Sequence, residues 1–367
     1  MTADPDTNPT GPSRPTGPTR PTCEVRLTGL ATALPLNVLL QRDVVARARE
    51  VLGPRYATFE RMVPAFENAG IDRRHSVVPL DWFGLPHGWA SRNDAYVAGA
   101  MDLFRDAARG ALADAGLSAD RIDAVVTISS TGVATPTLEA RAAVEMGFRP
   151  DLLRVPVFGL GCAGGVSGLS IAREIAAARP GARVLVVAVE TCTLLFRMDR
   201  MQKADIIATA LFGDGAGAAV LSSDPADRGP VVGRGAQHMW PDTLQIMGWD
   251  VDDAGLGVVF DRSIPGFVTA EIAAAVASSL PAIGDRPIER MVCHPGGAKV
   301  ITALEDALAL APGSLDAERE VLREAGNMSA PTVMFVLQKV LATRPTGRLM
   351  LAALGPGFTL SMLPVDA

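Results

Sequence analysis

Residues 158–170 read FGLGCAGGVSGLS, and the segment passes directly into the Ala-rich helical stretch IAREIAAA. Cys162 therefore lies where a turn opens a helix. A helix N-terminus presents free N–H groups and a positive dipole end, which favour a thiolate over a thiol. Gly161, Gly164 and Gly165 weaken a helix and are tolerated where backbone or substrate approaches closely. The segment predicts a nucleophilic cysteine with a lowered pKa, and a buried structural cysteine is the alternative.

The spacing around Cys162 recurs in the second part of the chain. Ile122 begins the apolar run IDAVVTI 40 residues before Cys162, and Ile288 begins IERMVCH 39 residues before Asn327. Both Cys162 and Asn327 open a helical segment, and the apolar strands RVLVVAVE and RLMLAAL each begin 21 residues later. The recurrence predicts a duplication that places Cys162 and Asn327 at equivalent helix N-termini.

Alternating apolar strands and helices indicate an α/β fold. We expect two similar halves, residues 23–225 and 226–367, packed around a pseudo-twofold axis. Units of similar length could give the same spacing without duplication. Residues 1–22 are rich in Pro, Thr and Gly and predict a disordered tail.

Composition excludes several classes of protein. The chain of 367 residues has a net charge of −6 and no run of Lys or Arg, which argues against nucleic-acid binding. No apolar run reaches the roughly 18 to 20 residues of a membrane span, and the N-terminus does not resemble a signal peptide. Four cysteines without C-x-x-C spacing predict a reduced, cytoplasmic protein that binds no metal.

Two further residues complete a candidate site. His294, in MVCHPGGAKV, follows a predicted strand and precedes a turn, which is where α/β folds place active sites. It would pair with Cys162 as thiolate and imidazolium, or serve as a hydrogen-bonded core histidine. Asn327, in EAGNMSAPTV, would donate to an oxyanion or simply cap a helix. Asp214, in LFGDGAG, predicts a tight turn because the spacing matches neither G-x-G-x-x-G nor a P-loop.

These stretches together resemble the type III polyketide synthases, chalcone-synthase-like enzymes of the thiolase fold, over nearly the whole chain after the tail. The matching stretches, in order, are GLGCAGG, ETCTLLFR, ALFGDGAGA, HPGG, GNMSAPTV and GPGFT. The resemblance implies a layered αβαβα architecture and a homodimer. It implies that Cys162 carries the acyl chain as a thioester. His294 and Asn327 would bind the thioester carbonyl of malonyl-CoA or methylmalonyl-CoA and promote its decarboxylation.

The resemblance also suggests a substrate pocket. Phe212 matches an aromatic gatekeeper of the family, whereas Val258, with Gly257 beside it, stands where plant-type enzymes have a second aromatic residue. This departure predicts a wider cavity. The segments STGVATPTLEAR, which contains Thr135, and ETCTLLFR, which contains Cys192 and Leu195, look most like bacterial alkylresorcinol and alkylpyrone synthases.

A long fatty acyl-CoA starter in a tunnel near Cys192, Leu195 and Val258 is therefore expected, with CoA thioesters as substrates and no cofactor. The residues that contact CoA are not predicted. A ketoacyl synthase III-like enzyme is one alternative, but such enzymes resemble H-Q-A-N where this chain has HPGG from His294 and they lack the GPGFT ending. A non-catalytic thiolase-fold interaction protein is the other alternative.

Overall fold

The computed structural model describes residues 23–200 and 202–367, so the predicted disordered tail lies outside the described residues. The strands in these ranges are β1 (Arg26–Ala33), β2 (Asn37–Leu40), β3 (Arg73–Ser76), β4 (Ala124–Ile128), β5 (Leu153–Val157), β6 (Arg183–Thr191), β7 (Asp214–Ser222), β8 (Val231–Val232), β9 (Ala236–Met239), β10 (Met247–Asp252), β11 (Gly255–Phe260), β12 (Ile288–Cys293), β13 (Arg348–Gly355) and β14 (Thr359–Asp366).

The α-helices in the same ranges are α1 (Gln41–Leu52), α2 (Val63–Glu67), α3 (Trp89–Asp114), α4 (Leu138–Met146), α5 (Gly164–Ala178), α6 (Lys203–Leu211), α7 (Ile264–Ile283), α8 (Ala298–Ala307), α9 (Asp316–Ala325) and α10 (Thr332–Ala342).

The strands pair in the same way twice. In the first half the order is β5-β4-β6-β7-β1, with β4 parallel to β6 and β6 antiparallel to β7. In the second half β12 is parallel to β13, β13 is antiparallel to β14, and β14 continues to β8 and β9. The predicted duplication of a thiolase-like α/β fold is therefore confirmed.

Two equivalent helices form the middle layer of the molecule. Helix α5 contacts β4 and β6 of its own half and β13 and β14 of the other, while α10 contacts β12, β13, β1 and β7. Helix α3 covers the outer face of the first sheet, and α7 covers the second with α8 beside it. The layers are therefore αβαβα.

Helix α10 begins at Thr332, so the expectation that Asn327 opens a helix is wrong. Asn327 instead pairs with Phe212 in a short parallel β-bridge.

Glycines allow the two halves to meet at backbone distance. A Cβ atom on Gly165 would overlap the carbonyl oxygen of Ala330 and lie 2.8 Å from Cγ1 of Val333. A Cβ atom on Gly164 would lie 2.6 Å from Cγ2 of Ile128 and 3.2 Å from Cβ of Ala330. Side chains at these positions would push apart the segments that carry Cys162 and Asn327.

Helix α7 corrects one expectation from composition. It spans 20 residues with a mean hydropathy of 1.5, so an apolar segment of sufficient length to cross a membrane does exist. This is weak evidence for a span, because core helices of soluble proteins share these properties. Its buried residues, which include Val268 and Ile272, belong to the core cluster that also contains Met362 of β14.

We predict that Gly165→Ala destabilises the protein, because the added methyl group collides with the backbone at Ala330. Overpacking of this kind costs about 1–3 kcal/mol. Urea unfolding measures the effect. The matched control is Gly266→Ala in α7, where an added Cβ has no neighbour within 4 Å. Equal stability of the two variants would show that the close contact does not constrain the fold.

Candidate active site

Cys162 lies in a 3₁₀ turn, Gly161–Ala163, that leads directly into α5. Gly161 has a φ of +46°, and an added Cβ would lie 2.6 Å from Cδ of Pro356. A Cβ atom on Gly355 would lie 2.6 Å from Cβ of Ala163. The C-terminal stretch GPG thus packs directly on the turn that holds the cysteine.

Cys162, His294 and Asn327 line one cavity, which we call the His294 cavity. The other walls come mainly from apolar side chains of α7, α8, β12 and β13. They include Ile272 and Val276 of α7. The three residues singled out from the sequence are therefore brought together, from opposite halves of the molecule.

Hydrogen bonds fix the orientation of the Asn327 side chain. Its Nδ2 donates to the carbonyl oxygen of Gly296 at 3.1 Å, and its Oδ1 accepts from the backbone N–H of Ser329 at 2.8 Å. An amide nitrogen carries two donors, so one N–H remains for the cavity. The backbone N–H of Asn327 donates to the carbonyl oxygen of Leu211 at 2.8 Å. The backbone N–H of Gly213 donates to the carbonyl oxygen of Asn327 at 3.0 Å.

The imidazole of His294 is buried with neither ring nitrogen hydrogen-bonded to the described residues. Its backbone N–H donates to the carbonyl oxygen of Ala352 at 2.8 Å, which holds the chain at the end of β12. Burial lowers the pKa of His294 to about 3. The imidazole is therefore neutral at pH 7, with one ring N–H and one ring lone pair facing the cavity.

The expectation of a lowered Cys162 pKa is wrong. Burial raises the pKa of the Cys162 thiol to about 11, against a hydrogen bond from Ser329 that lowers it. Cys162 and His294 are therefore a neutral thiol and a neutral imidazole, and not an ion pair. Burial disfavours both charged forms, and this outweighs the position of Cys162 at the start of a helix.

Glu190 carries a buried carboxyl group that the sequence analysis did not single out. Its oxygens accept from the backbone N–H of Ser130 at 2.9 and 3.0 Å and from the Thr131 hydroxyl at 2.7 Å. Burial raises the pKa of Glu190 to about 8. Its negative charge in turn raises the pKa of Cys162. The only sequence signal was its place at the end of an apolar strand, next to Cys192.

Arg74 is a second residue that the sequence analysis missed. Its fully buried guanidinium donates to the carbonyl oxygens of Thr209, Ala210 and Phe212 at 2.6, 2.7 and 3.0 Å, at the C-terminal end of α6. A cation there complements the helix dipole. Because Phe212 is bridged to Asn327, Arg74 also holds the backbone that carries the amide.

Asp214 does not form a turn as expected. It begins β7, is fully buried, and accepts from the backbone N–H of Thr193 at 2.7 Å and of Val77 at 2.9 Å. It therefore anchors the segment that follows β6. Burial raises the pKa of Asp214 to about 6.

A second apolar cavity, which we call the Cys192 cavity, contains three of the predicted pocket residues: Cys192, Leu195 and Phe212. Its other walls come from α1, α6 and the segment before α3, and they include Val44. Arg47 also lines this cavity but forms an ion pair with Glu50 at 3.1 Å.

Three predicted pocket residues lie elsewhere. Val258 is buried in the core cluster that contains Cys192 but lines neither the His294 cavity nor the Cys192 cavity. The guanidinium of Arg200 occupies the space beside Gly257, so the extra room expected there is filled. Arg200 is held by Asp250 at 2.8 Å. Thr135 is exposed and also lines neither cavity.

No group of three or more His, Cys, Asp or Glu side chains in residues 23–200 and 202–367 is arranged to hold a metal ion. The four cysteines are free.

Comparisons with known proteins agree with this fold. Family models of chalcone and stilbene synthases match residues 87–225 (N-terminal domain) and 232–365 (C-terminal domain). A 1,3,6,8-tetrahydroxynaphthalene synthase of Streptomyces peucetius subsp. caesius is 38% identical over 340 residues, 89% of each chain.

Two solved structures extend the likeness to the fold. The tetrahydroxynaphthalene synthase of Streptomyces coelicolor A3(2), a bacterial type III polyketide synthase, superposes with a TM-score of 0.87 at 27% identity, covering 93% of this chain and 99% of that one. CsyB complexed with CoA-SH gives a TM-score of 0.86 at 26% identity with the same coverage.

Fold and cavity define a thiolase-fold acyltransferase. The chain belongs to the chalcone and stilbene synthase family and is a type III polyketide synthase. Proteins of this family use CoA thioesters.

We predict opposite shifts in the pH dependence of Cys162 alkylation by iodoacetamide, which requires the thiolate. Ser329→Ala removes a hydrogen bond that lowers the Cys162 pKa, so the midpoint rises. Glu190→Gln removes a negative charge that is present above pH 8, so the midpoint falls. The wild-type midpoint should lie well above the ordinary thiol value of about 8.5.

The matched controls are Ser170→Ala and Glu174→Gln, at a half-buried and an exposed position further along α5. Alkylation is followed by mass spectrometry of the Cys162 peptide. Shifts of Ser329→Ala and Glu190→Gln in the same direction would contradict the assigned contacts.

Proposed function

We propose that this enzyme extends an acyl-CoA starter by repeated decarboxylative Claisen condensation, with Cys162 as nucleophile and His294 and Asn327 as the pair that binds the extender carbonyl. The observation that carries the proposal is the convergence of these three side chains in one cavity. The ring nitrogens of His294 have no hydrogen-bond partner among the described residues. The Asn327 amide donates one N–H to Gly296 and has a second N–H for the cavity.

Each step uses groups already in place. The neutral imidazole of His294 accepts the Cys162 proton as the sulphur attacks the starter thioester. The imidazolium then gives that proton to the departing CoA thiolate, so CoA leaves as a thiol and His294 is neutral again. The carboxylate of the bound malonyl group then leaves as CO₂, and its electron pair forms an enolate. The enolate oxygen accepts hydrogen bonds from His294 and Asn327, and such preorganised donors contribute several kcal/mol.

The new carbon–carbon bond forms on the Cys162 thioester. The enolate carbon attacks the acyl carbonyl, the bond to sulphur breaks, and the thiolate takes up a proton. The extended chain is now a CoA thioester and returns to Cys162 for the next cycle. Malonyl-CoA and methylmalonyl-CoA both satisfy this scheme.

We propose a long fatty acyl-CoA as the starter, followed by cyclisation to an alkylpyrone or alkylresorcinol. The Cys192 cavity supports this, because its walls are largely apolar and its arginines are engaged with carbonyl oxygens or carboxylates. Burial stabilises an alkyl chain by about 0.8 kcal/mol per CH₂. We propose the starter tunnel at Cys192 and Leu195 and not at Val258, because Val258 does not line this cavity.

A second candidate product follows from a relative. The protein that is 38% identical is named a 1,3,6,8-tetrahydroxynaphthalene synthase. If this chain makes the same product, it needs no alkyl starter. Incubation with malonyl-CoA alone separates the two candidates.

We also propose a homodimer, by family resemblance. Strand β5 is the outer strand of the first sheet, and within the described residues its outer edge has no pairing strand. Pro156 lies in this strand, and Phe158, one residue beyond the end of the strand, is 59% exposed. Sedimentation that finds a stable, active monomer would contradict the dimer.

The division into halves at residues 225 and 226 remains a proposal. It is supported by the end of one family model at residue 225 and the start of the next at 232. A cytoplasmic location is likewise proposed, on the four free cysteines.

We predict that Cys162→Ala abolishes chain extension, because the acyl group loses its covalent carrier. Radiolabelled acyl-CoA should label Cys162 of the wild type, as mapped by peptide mass spectrometry. The control is Cys192→Ala, which keeps the label. Label on Cys192 or Cys293 in the wild type would contradict the assignment.

We predict that the wild type prefers long acyl-CoA starters and that Val44→Phe shifts this preference to shorter chains by filling the Cys192 cavity. Competition among acyl-CoAs of increasing length, read from product masses, measures the preference. The control is Val144→Phe, at a position that is 95% exposed. Rejection of chains of about eight carbons or more by the wild type would contradict the long starter but not the polyketide synthase activity.

A further inference from the structure

The His294 cavity extends well beyond the three residues that perform the chemistry. Val300 and Leu304 of α8 and Leu308 just beyond it lie one turn apart and all line it. At 1.5 Å per residue this wall is about 12 Å long. Ile272 and Val276, one turn apart on α7, form the facing wall.

The walls are apolar apart from the catalytic groups. Within residues 23–200 and 202–367, no Asp, Glu, Lys or Arg lines this cavity. The cavity therefore lacks the partners that phosphate groups of CoA require. The occupant that suits such walls is a hydrocarbon group.

The position of the reacting carbon decides which hydrocarbon group this is. Cys162, His294 and Asn327 all line this cavity, so the enolate carbon and the acyl carbon meet at its head. A substituent on the enolate carbon is one bond from that point and has the walls of this cavity as its nearest neighbours. The distal part of a long starter is many bonds away, and the Cys192 cavity is the place proposed for it above.

Resting on the function proposed above, we infer that the His294 cavity is a subsite for an alkyl substituent on the extender, so that the enzyme uses alkylmalonyl-CoA. The alkylmalonyl carboxylate leaves as CO₂, and the remaining electron pair forms the new carbon–carbon bond. The alkyl group stays on that carbon together with one hydrogen. Cys162 is released as thiolate and takes a proton from solvent, as with malonyl-CoA.

The test compares malonyl-, methylmalonyl- and ethylmalonyl-CoA with one short starter. The wild type should incorporate all three, giving products heavier by one methylene for each added carbon. Val276→Phe fills the cavity and should reduce the use of ethylmalonyl-CoA relative to malonyl-CoA by about tenfold, the value expected for two buried carbons. Val44→Phe, the same exchange in the Cys192 cavity, should leave that ratio unchanged.

A second variant covers the possibility that Phe is not accommodated at position 276. Val276→Ala enlarges the cavity without overpacking and should raise the use of ethylmalonyl-CoA relative to malonyl-CoA. Thermal unfolding of each variant shows that it is folded. If Val276→Phe changes the preferred starter length and leaves the extender ratio unchanged, the cavity holds the starter and the inference is overturned.

Binding separates this inference from the proposed function. Titration calorimetry on Cys162→Ala should show tighter binding of ethylmalonyl-CoA than of malonyl-CoA, and the difference should vanish when Val276→Phe is added. Equal or weaker binding of ethylmalonyl-CoA overturns the inference whether or not product forms. If Cys162→Ala binds ethylmalonyl-CoA more tightly but the wild type forms no product from any extender, the proposed polyketide synthesis is refuted. The inferred alkyl subsite would then still be supported.

Discussion

The arrangement of the site depends on the contact between Gly164 and Gly165 of α5 and the backbone at Ala330. Cys162 lies two residues before this contact on one chain segment, and Asn327 lies three residues before it on the other. No flexible side chain separates the segments, and protein interiors are packed as densely as organic crystals. The distance between the nucleophile and the oxyanion donor is therefore set by backbone contact between the two halves of the duplication.

A duplicated fold of this kind is accessible to sequence analysis because its spacing recurs. The intervals from Ile122 to Cys162 and from Ile288 to Asn327 run from the entries into β4 and β12 to the segments that precede the middle-layer helices α5 and α10. The local geometry at Asn327 was not predictable. Its β-bridge to Phe212 joins residues more than a hundred positions apart, and Arg74, still further away in sequence, supports that bridge.

Charge states were the weakest part of the sequence analysis, for a physical reason. A helix N-terminus is visible in the residues around Cys162, whereas the burial of Cys162 and His294 is contributed by both sheets and by α7 and α8. Burial disfavours charge on both groups, so the ion pair expected from the local sequence gives way to a neutral pair. The space beside Gly257 was likewise not predictable from the local sequence, because the Arg200 guanidinium that fills it belongs to another segment.

The neutral state of His294 also suits the apolar walls of the His294 cavity. A neutral His294 is compatible with hydrocarbon walls on its side of the site, since burying an imidazolium without a partner would cost several kcal/mol. The walls of α7 and α8 can therefore continue up to the reacting carbon without a polar break. In the other half, Asp214 and Glu190 are satisfied by backbone and hydroxyl donors. The catalytic groups thus adjoin the apolar walls of α7 and α8, while the Cys192 cavity, which these groups do not line, is a separate apolar space.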